Sequence, residues 1–185
     1  MKLVSVKVET AATALPVTVD EFIDHARLNG ITVDRQPELI ERELAAATVR
    51  AERFLRRSLM TQTLKGIYYP GGPSGSVLAM PRGPVQSVTS VKDGTGADIG
   101  YVWDGGSFIV LETIPSSPVT AVWVSGYGDA DDVPDSVREG ILEYATQLYG
   151  DREGARVSKF LQTSGKGVPV GVRDLWRSEQ IEISG

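Results

Sequence analysis

The stretch VWVSGYGDADDVPDSVREGILEYATQLY, residues 122–149, decides the fold. It opens as a strand-like alternation in which Val122 and Val124 share one face and Trp123 takes the other, predicting a strand covered on both sides. An acidic Gly/Asp turn follows. Pro134 then starts an amphipathic helix, since proline has no amide to leave unpaired in a first turn. Over about 134–150, Val137, Ile141, Tyr144/Ala145 and Leu148 recur at three and four, the spacing of one buried face. A β segment thus runs straight into a helix, which points to an α+β fold.

Upstream, Thr61 to Ser125 consists of short β-branched and aromatic runs broken by Gly/Pro clusters, among them PGGPSG, PRGP and KDGTG. This punctuation predicts an antiparallel meander or small barrel over about 61–125. Asp93–Gly94 and Asp104–Gly105 suit its tight turns. Further upstream, Thr18 and Glu21 have capping-box spacing and open a helix over about 18–29, with an exit at Asn29–Gly30. Pro37 suits the first turn of a second helix over about 37–58, whose stripe is Ile40, Leu44, Ala47, Ala51 and Phe54/Leu55. Residues 2–9 alternate, with Val4, Val6 and Val8 on one side, as in an edge strand.

The order helix, helix, β insertion, helix describes a helical bundle with an antiparallel β insertion in one domain, 1–150. Beyond Gly150 periodicity fades, and 151–185 reads as an extended C-terminal tail with a few apolar anchors. A chain of 185 residues with 41% hydrophobic and 23% charged residues is ordinary for a globular protein and long enough to bury a core. No apolar run reaches the length of a membrane span, and the N-terminus lacks the apolar block of a signal peptide. The absence of cysteine excludes disulfides and thiol catalysis, and a single histidine argues against zinc. The net charge of −5 disfavours tight binding of duplex DNA, but suits a surface past which DNA slides.

Motifs for catalysis are weak. GTGADIG, 94–100, misses the dinucleotide fingerprint and sits in a turn context. GGPSGS lacks the Gly-Lys-Ser/Thr of a phosphate loop and reads as a loop tip. Asp129, Asp131 and Asp132 crowd oxygen ligands, yet lack the glycine and bidentate Glu of a calcium loop; a turn before a helix N-terminus explains them. His25 and Asp24 are helix neighbours that do not face each other, so they form no dyad. No catalytic, cofactor or metal residues are assigned.

Two charge stripes remain. Arg50, Arg53 and Arg57, with Arg56 beside them, give the second helix a basic edge. Asp135, Glu139 and Glu143 give the third an acidic edge. These are either two solvated faces or a ring interface in which opposite stripes of neighbouring copies set the register. In the tail, Val168, Val170 and Val172 alternate as a strand added to a partner's sheet edge would, and Leu175 and Trp176 follow. The competing reading folds the tail back over its own domain.

PVTVDEFIDHARL (16–28), ELIERELAAATVRAERFLRRSLMTQT (38–63), MPRGPVQSVTSV (80–91) and SGYGDADDVPDSVREGILEYATQLYGDRE (125–153) resemble, in order and spacing, the head-tail connector (adaptor) family of tailed bacteriophages and gene transfer agents. The resemblance covers about 15–153. It implies a non-enzymatic virion protein that forms a ring, typically dodecameric, under the portal vertex, extends the channel for double-stranded DNA and joins the portal to a stopper or tail protein. It places the chain at the neck, and in the host bacterial cytoplasm during assembly, with no cofactor and no membrane. The C-terminal segment then embraces the portal, through Val168, Val170, Val172, Leu175 and Trp176. Trp176→Ala is accordingly expected to spare the fold and abolish portal binding, and Arg53 and Arg57 reversal to impair the ring. The alternatives are a hydrolase, marked by close carboxylates of perturbed pKa, and a monomeric ligand-binding module with an exposed platform of Trp103, Trp123 and Tyr127.

Overall fold

The computed structural model describes residues 1–28, 37–72, 75–152, 168–177 and 179. Two compact units form, a β unit of Met1–Thr13 with Arg57–Gly128 and a helical unit of Ala14–Arg56 with Asp129–Gly185. Compactness thus divides the chain by structural type, not at residue 150. The expected exit at Asn29–Gly30, the polar stretch 153–167 and the terminal 180–185 lie outside the described residues.

The β unit holds seven strands: β1 Lys2–Thr10, β2 Gln62–Tyr69, β3 Val77–Ala79, β4 Val85–Lys92, β5 Tyr101–Trp103, β6 Phe108–Leu111 and β7 Val119–Ser125. They make a four-stranded sheet ordered β1-β2-β7-β4 and a three-stranded sheet ordered β3-β6-β5. All pairs are antiparallel. This is no meander, because β7 closes back between β2 and β4. Turn residues mark where a chain reverses, but partner choice is made by burial across the sheet. Residues 2–9 do form an edge strand, paired in register with β2 through Val6 opposite Gly66.

β7 is buried on its odd face, at Val119, Ala121, Trp123 and Ser125, and half-covered at Thr120, Val122 and Val124. Trp123 is fully buried and packs with Leu64, Tyr68, Leu78, Met80, Ile109 and Leu111. Each such side chain contributes about 1.5–3 kcal/mol by leaving water. Burial also pushes the Tyr68 hydroxyl pKa up, and that hydroxyl donates to the Ala79 carbonyl at 2.5 Å.

Parts of three of the four segments quoted for the family resemblance meet at one corner of this unit. Ser58 N donates to the Arg82 carbonyl at 3.1 Å, Gly126 N to Pro84 O at 2.9 Å, and Tyr127 N to Leu59 O at 2.9 Å. The Ser125 hydroxyl donates to the carbonyls of Arg82 and Pro84. The Gln86 side-chain amide adds bonds to Gly126 O at 2.9 Å and Thr61 Oγ1 at 3.0 Å. The loop around PRGP is thus tied down by backbone pairing that no side-chain pattern announces.

The helical unit contains α1 Val19–Ala26, α2 Pro37–Leu55, α3 Asp135–Arg152 and α4 Val170–Arg177, with a 3-10 turn at Ala130–Asp132 before α3. Both halves of the Thr18–Glu21 capping box are present, so two otherwise orphaned amides at the start of α1 are satisfied. α1 ends at Arg27, whose φ of 52° is left-handed. α2 ends at Leu55, earlier than residue 58, and Arg56 takes a φ of 55°. Its stripe packs as the spacing predicts, with Ile40, Leu44, Ala47, Ala51 and Leu55 fully buried. Against it, α3 buries Val137, Ile141 and Ala145. The Phe22 and Tyr149 rings meet edge-on at 5.8 Å between centroids.

The tail departs most from expectation. Residues 170–177 are an α-helix, not an extended strand, and α4 packs on α3. Pro169 precedes it as a residue suited to a helix start, and its carbonyl accepts from Arg173 N at 2.9 Å. Val172 and Trp176, four apart, are both fully buried.

Candidate functional site

The candidate surfaces are built on the helical unit, and their geometry begins with Arg138. From α3 its guanidinium reaches the Glu21 carboxylate in a close ion pair, with Asp131 at 3.9 Å and Asp135 at 4.0 Å. Arg138 thereby joins the capping box of α1 to the start of α3. Sequence reasoning missed it, because Glu21 lies 117 residues away along the chain. Asp131 and Asp132 lie in the 3-10 turn and Asp129 caps it, with Asp129 N donating to Asp132 Oδ2 at 2.9 Å. Among the described residues no group of three His, Asp or Glu side chains is placed to hold a metal ion.

Burial pushes the Glu21 pKa up, but bonds from the Thr18 amide and hydroxyl and the Arg138 charge outweigh it, so the net shift is downward. A carboxyl with a depressed folded pKa stabilises above its unfolded pKa and loses that contribution as pH falls through the folded value. The helical unit should therefore weaken on acidification below the ordinary carboxylate range. Glu21→Gln should flatten that dependence in thermal unfolding followed from about pH 7 down to about pH 2. An identical pH profile for the variant would remove Glu21 from this account.

The basic edge of α2 is shorter than the spacing suggests. Arg53 is exposed and Arg50 half-buried, both on α2. Arg57 lies beyond the helix and belongs to the β unit, where it bridges to Arg82. Its Nη1 donates to the Tyr127 hydroxyl at 2.9 Å, and its guanidinium carbon lies 5.7 Å from that ring's centroid. The left-handed Arg56 takes the chain off the helix before Arg57, so Arg57 leaves the stripe. On α3, Asp135 and Glu139 are exposed and Glu143 is half-buried. Glu139 Oε1 lies 3.6 Å from His25 Nδ1, so His25 meets a carboxylate on another helix instead of its neighbour Asp24.

The tail residues do not form one outward strip. Val168, Val172 and Trp176 are buried, Leu175 is half-buried, and Val170 is half exposed at 50%. Trp176 sits between the Phe54 ring at 5.7 Å and the Tyr144 ring at 6.4 Å, and its Nε1–H donates to the Val137 carbonyl at 3.3 Å. Gly140 makes this seat possible: a Cβ there would lie 2.9 Å from Trp176 Cδ1.

The proposed aromatic platform is not assembled either. Trp123 is core, Trp103 is half-buried with its Nε1–H donating to Gly106 O at 2.7 Å, and Tyr127 is engaged by Arg57. GTGADIG is a turn, in which Asp93 Oδ1 accepts from Thr95 N at 2.8 Å, the Thr95 hydroxyl at 2.6 Å and Ala97 N at 3.1 Å. These bonds, the Thr95 hydroxyl first, hold the Asp93 carboxyl below its usual range. Among the described residues, the two carboxylates with shifted pKa are a helix cap and a turn, both shifted downward, whereas a general acid needs an upward shift.

No protein-family model matches the chain, and no curated protein matches it. Solved structures do. A chain in the neck of an empty gene transfer agent particle, computed with C6 symmetry, superposes with a TM-score of 0.72 at 20% identity, covering 96% of this chain and 95% of that one. The fold is one found in gene transfer agent particles. A chain in the virion of a native particle gives 0.71 at 20% identity, and one in the neck of a native particle computed with C12 symmetry gives 0.67 at 22%, with the same coverages. At 96% coverage the likeness takes in both the β unit and the helical unit, so their sequence order is part of the shared fold.

Proposed function

We propose that this chain is a head-tail adaptor, the protomer of a ring in the neck of a tailed phage or gene transfer agent particle. The observation that carries this reading is the likeness, over 96% of the chain, to chains in gene transfer agent necks computed with C6 and C12 symmetry. Twelvefold symmetry supports a dodecamer. The ring sits under the portal, extends the DNA channel and links the portal to the stopper or tail, acting by fit and not by catalysis. A net charge of −5 supports a conduit that does not arrest duplex DNA through phosphate contacts.

A ring requires two different faces on each protomer. Arg50 and Arg53 on α2 meet Asp135, Glu139 and Glu143 on α3 of the next copy, with Arg57 excluded by its place in the β unit. Each exposed pair contributes only about 0.2–1 kcal/mol, but a closed ring repeats the pair at every interface. Portal docking falls to the outward side of the 168–177 segment, centred on Val170 and Leu175, while Val172 and Trp176 anchor it. Mass photometry of the protein with and without purified portal tests the whole reading, and closed rings are the expected species with portal. Arg50→Glu with Arg53→Glu should lower the ring fraction about tenfold, and Glu139→Lys with Glu143→Lys should restore part of it. Unaltered ring yield in the Arg variants would return both stripes to the solvent.

A further inference from the structure

The four lysines among the described residues, Lys2, Lys7, Lys65 and Lys92, all lie on one face of the four-stranded sheet. Pairing aligns Lys7 with Lys65, Val122 and Ser90 in one row across β1, β2, β7 and β4, and Lys92 with Thr120, Ile67 and Ser5 in the next. Lys2 stands opposite Tyr69, and period-two alternation puts this pair on the same side, one position beyond the buried Tyr68. The other face of these strands is the core around Leu64, Ala121 and Trp123. Lys2 and Lys7 are exposed, and the Lys65 and Lys92 side chains keep 42% and 44% of their surface open. In a chain with 24 acidic residues, these four strands carry a single carboxylate, Glu9, and no arginine. The positive charge of this face is therefore supplied by lysine alone.

A flat sheet enters no groove, so it meets a duplex only along the backbone, where lysines and hydroxyls contact phosphates without reading sequence. Lysine acts there as a hydrated point charge on a flexible stem, without the fork by which arginine fixes a phosphate in two bonds. β1 and β4 are three interstrand steps apart, roughly 14 Å, so the charges address several phosphates and not one. Two of the lysines are tempered. Lys65 Nζ lies 3.5 Å from Glu9 Oε1, and Lys92 Nζ lies 3.0 Å from Asp98 Oδ1. Exposed pairs of this kind are worth little and can yield to a phosphate. We propose that this lysine face is the surface of the chain that contacts duplex DNA, holding its phosphates weakly and without sequence preference. This rests on the ring reading, which brings DNA past the chain. It also reconciles contact with a net charge of −5, because attraction is confined to one sheet face while the rest of the chain carries the negative balance.

The full-length chain, titrated into a short fluorescent duplex, should bind it weakly at low salt and release it as NaCl rises. Lys7→Gln and Lys92→Gln should each lower the slope of log affinity against log salt by about one, equally for unrelated sequences and with unchanged thermal unfolding. Glu9→Gln with Asp98→Asn should act in the opposite direction, tightening binding about two- to fivefold, the scale of releasing exposed ion pairs. Glu38→Gln with Glu41→Gln, at exposed positions of α2, makes the same change in net charge and should not. No binding at low salt, unchanged slopes in the lysine variants, or equal tightening by the α2 pair overturns the face and leaves the ring reading standing. Lysine variants that alter ring yield but not duplex binding give the face to an acidic protein neighbour, and overturn it as well. Duplex binding with the expected slopes, but no closed ring with portal in mass photometry, sustains the face and sinks the ring.

Discussion

Trp176→Ala should unfold much of the helical unit's packing, at a cost of about 3–5 kcal/mol, the range for truncating a buried Trp. The indole fills a seat made by Phe54, Tyr144, the Val137 carbonyl and the side-chain-free surface at Gly140. Its removal leaves a cavity beside α3. Gly140→Val should reproduce the defect from the other side, because a Cβ at Gly140 and the indole cannot occupy the same space. Val170→Asp is the contrasting variant: half exposed on the same helix, it should leave the melting temperature within about 1–2 °C while weakening portal pull-down, since surface changes seldom move stability by more than about 0.5 kcal/mol. Chemical denaturation with a tryptophan fluorescence readout separates the two classes. A Trp176→Ala protein as stable as wild type would return this residue to the role of a pure docking anchor.

What the sequence disclosed follows the range over which each signal acts. The capping box and the stripe from Ile40 to Leu55 depend on residues three and four apart, and both appear as read. So does the alternation of β7 around Trp123. The tail was ambiguous for a physical reason. Val168, Val170 and Val172 fit a period of two, whereas Val172 and Trp176 fit one helical turn, and a short segment satisfies both. Pro169 was the discriminating residue, because it suits the start of a helix. Strand partners were not legible, since β7 pairs with β2 and β4 across long loops and burial, not spacing, selects them. Arg57 was misplaced because the helix ends at Leu55 and Arg56 turns left-handed without the usual glycine. The charge stripes were found as residues, but Arg138, the cation that organises the acidic side, was visible only once Glu21 and Asp131 came together in space.

Gly126→Ala should be the most damaging small substitution in the β unit. Gly126 adopts a φ of +132°, a region that L side chains rarely enter, and a Cβ there would lie against the Met60 carbonyl, with Thr61 N only 2.8 Å away. Strain of this kind costs about 1–3 kcal/mol by itself. The neighbouring strand cannot retreat cheaply, because Tyr127 N bonds Leu59 O, Thr61 N bonds Gly128 O at 3.3 Å, and Gly126 N bonds Pro84 O. Moving Met60 away from a new methyl group therefore opens bonds on both sides of the corner at once. A total near 3 kcal/mol or more is expected, with faster amide exchange at Leu59–Thr61 and along β4 and little change in α1 and α2. That pattern follows because this corner holds the loop around PRGP to the turn at Gly126–Gly128. If amide exchange rises evenly through both units, the corner is not a separate clamp, and the glycine's conformation is incidental to how the β unit is held.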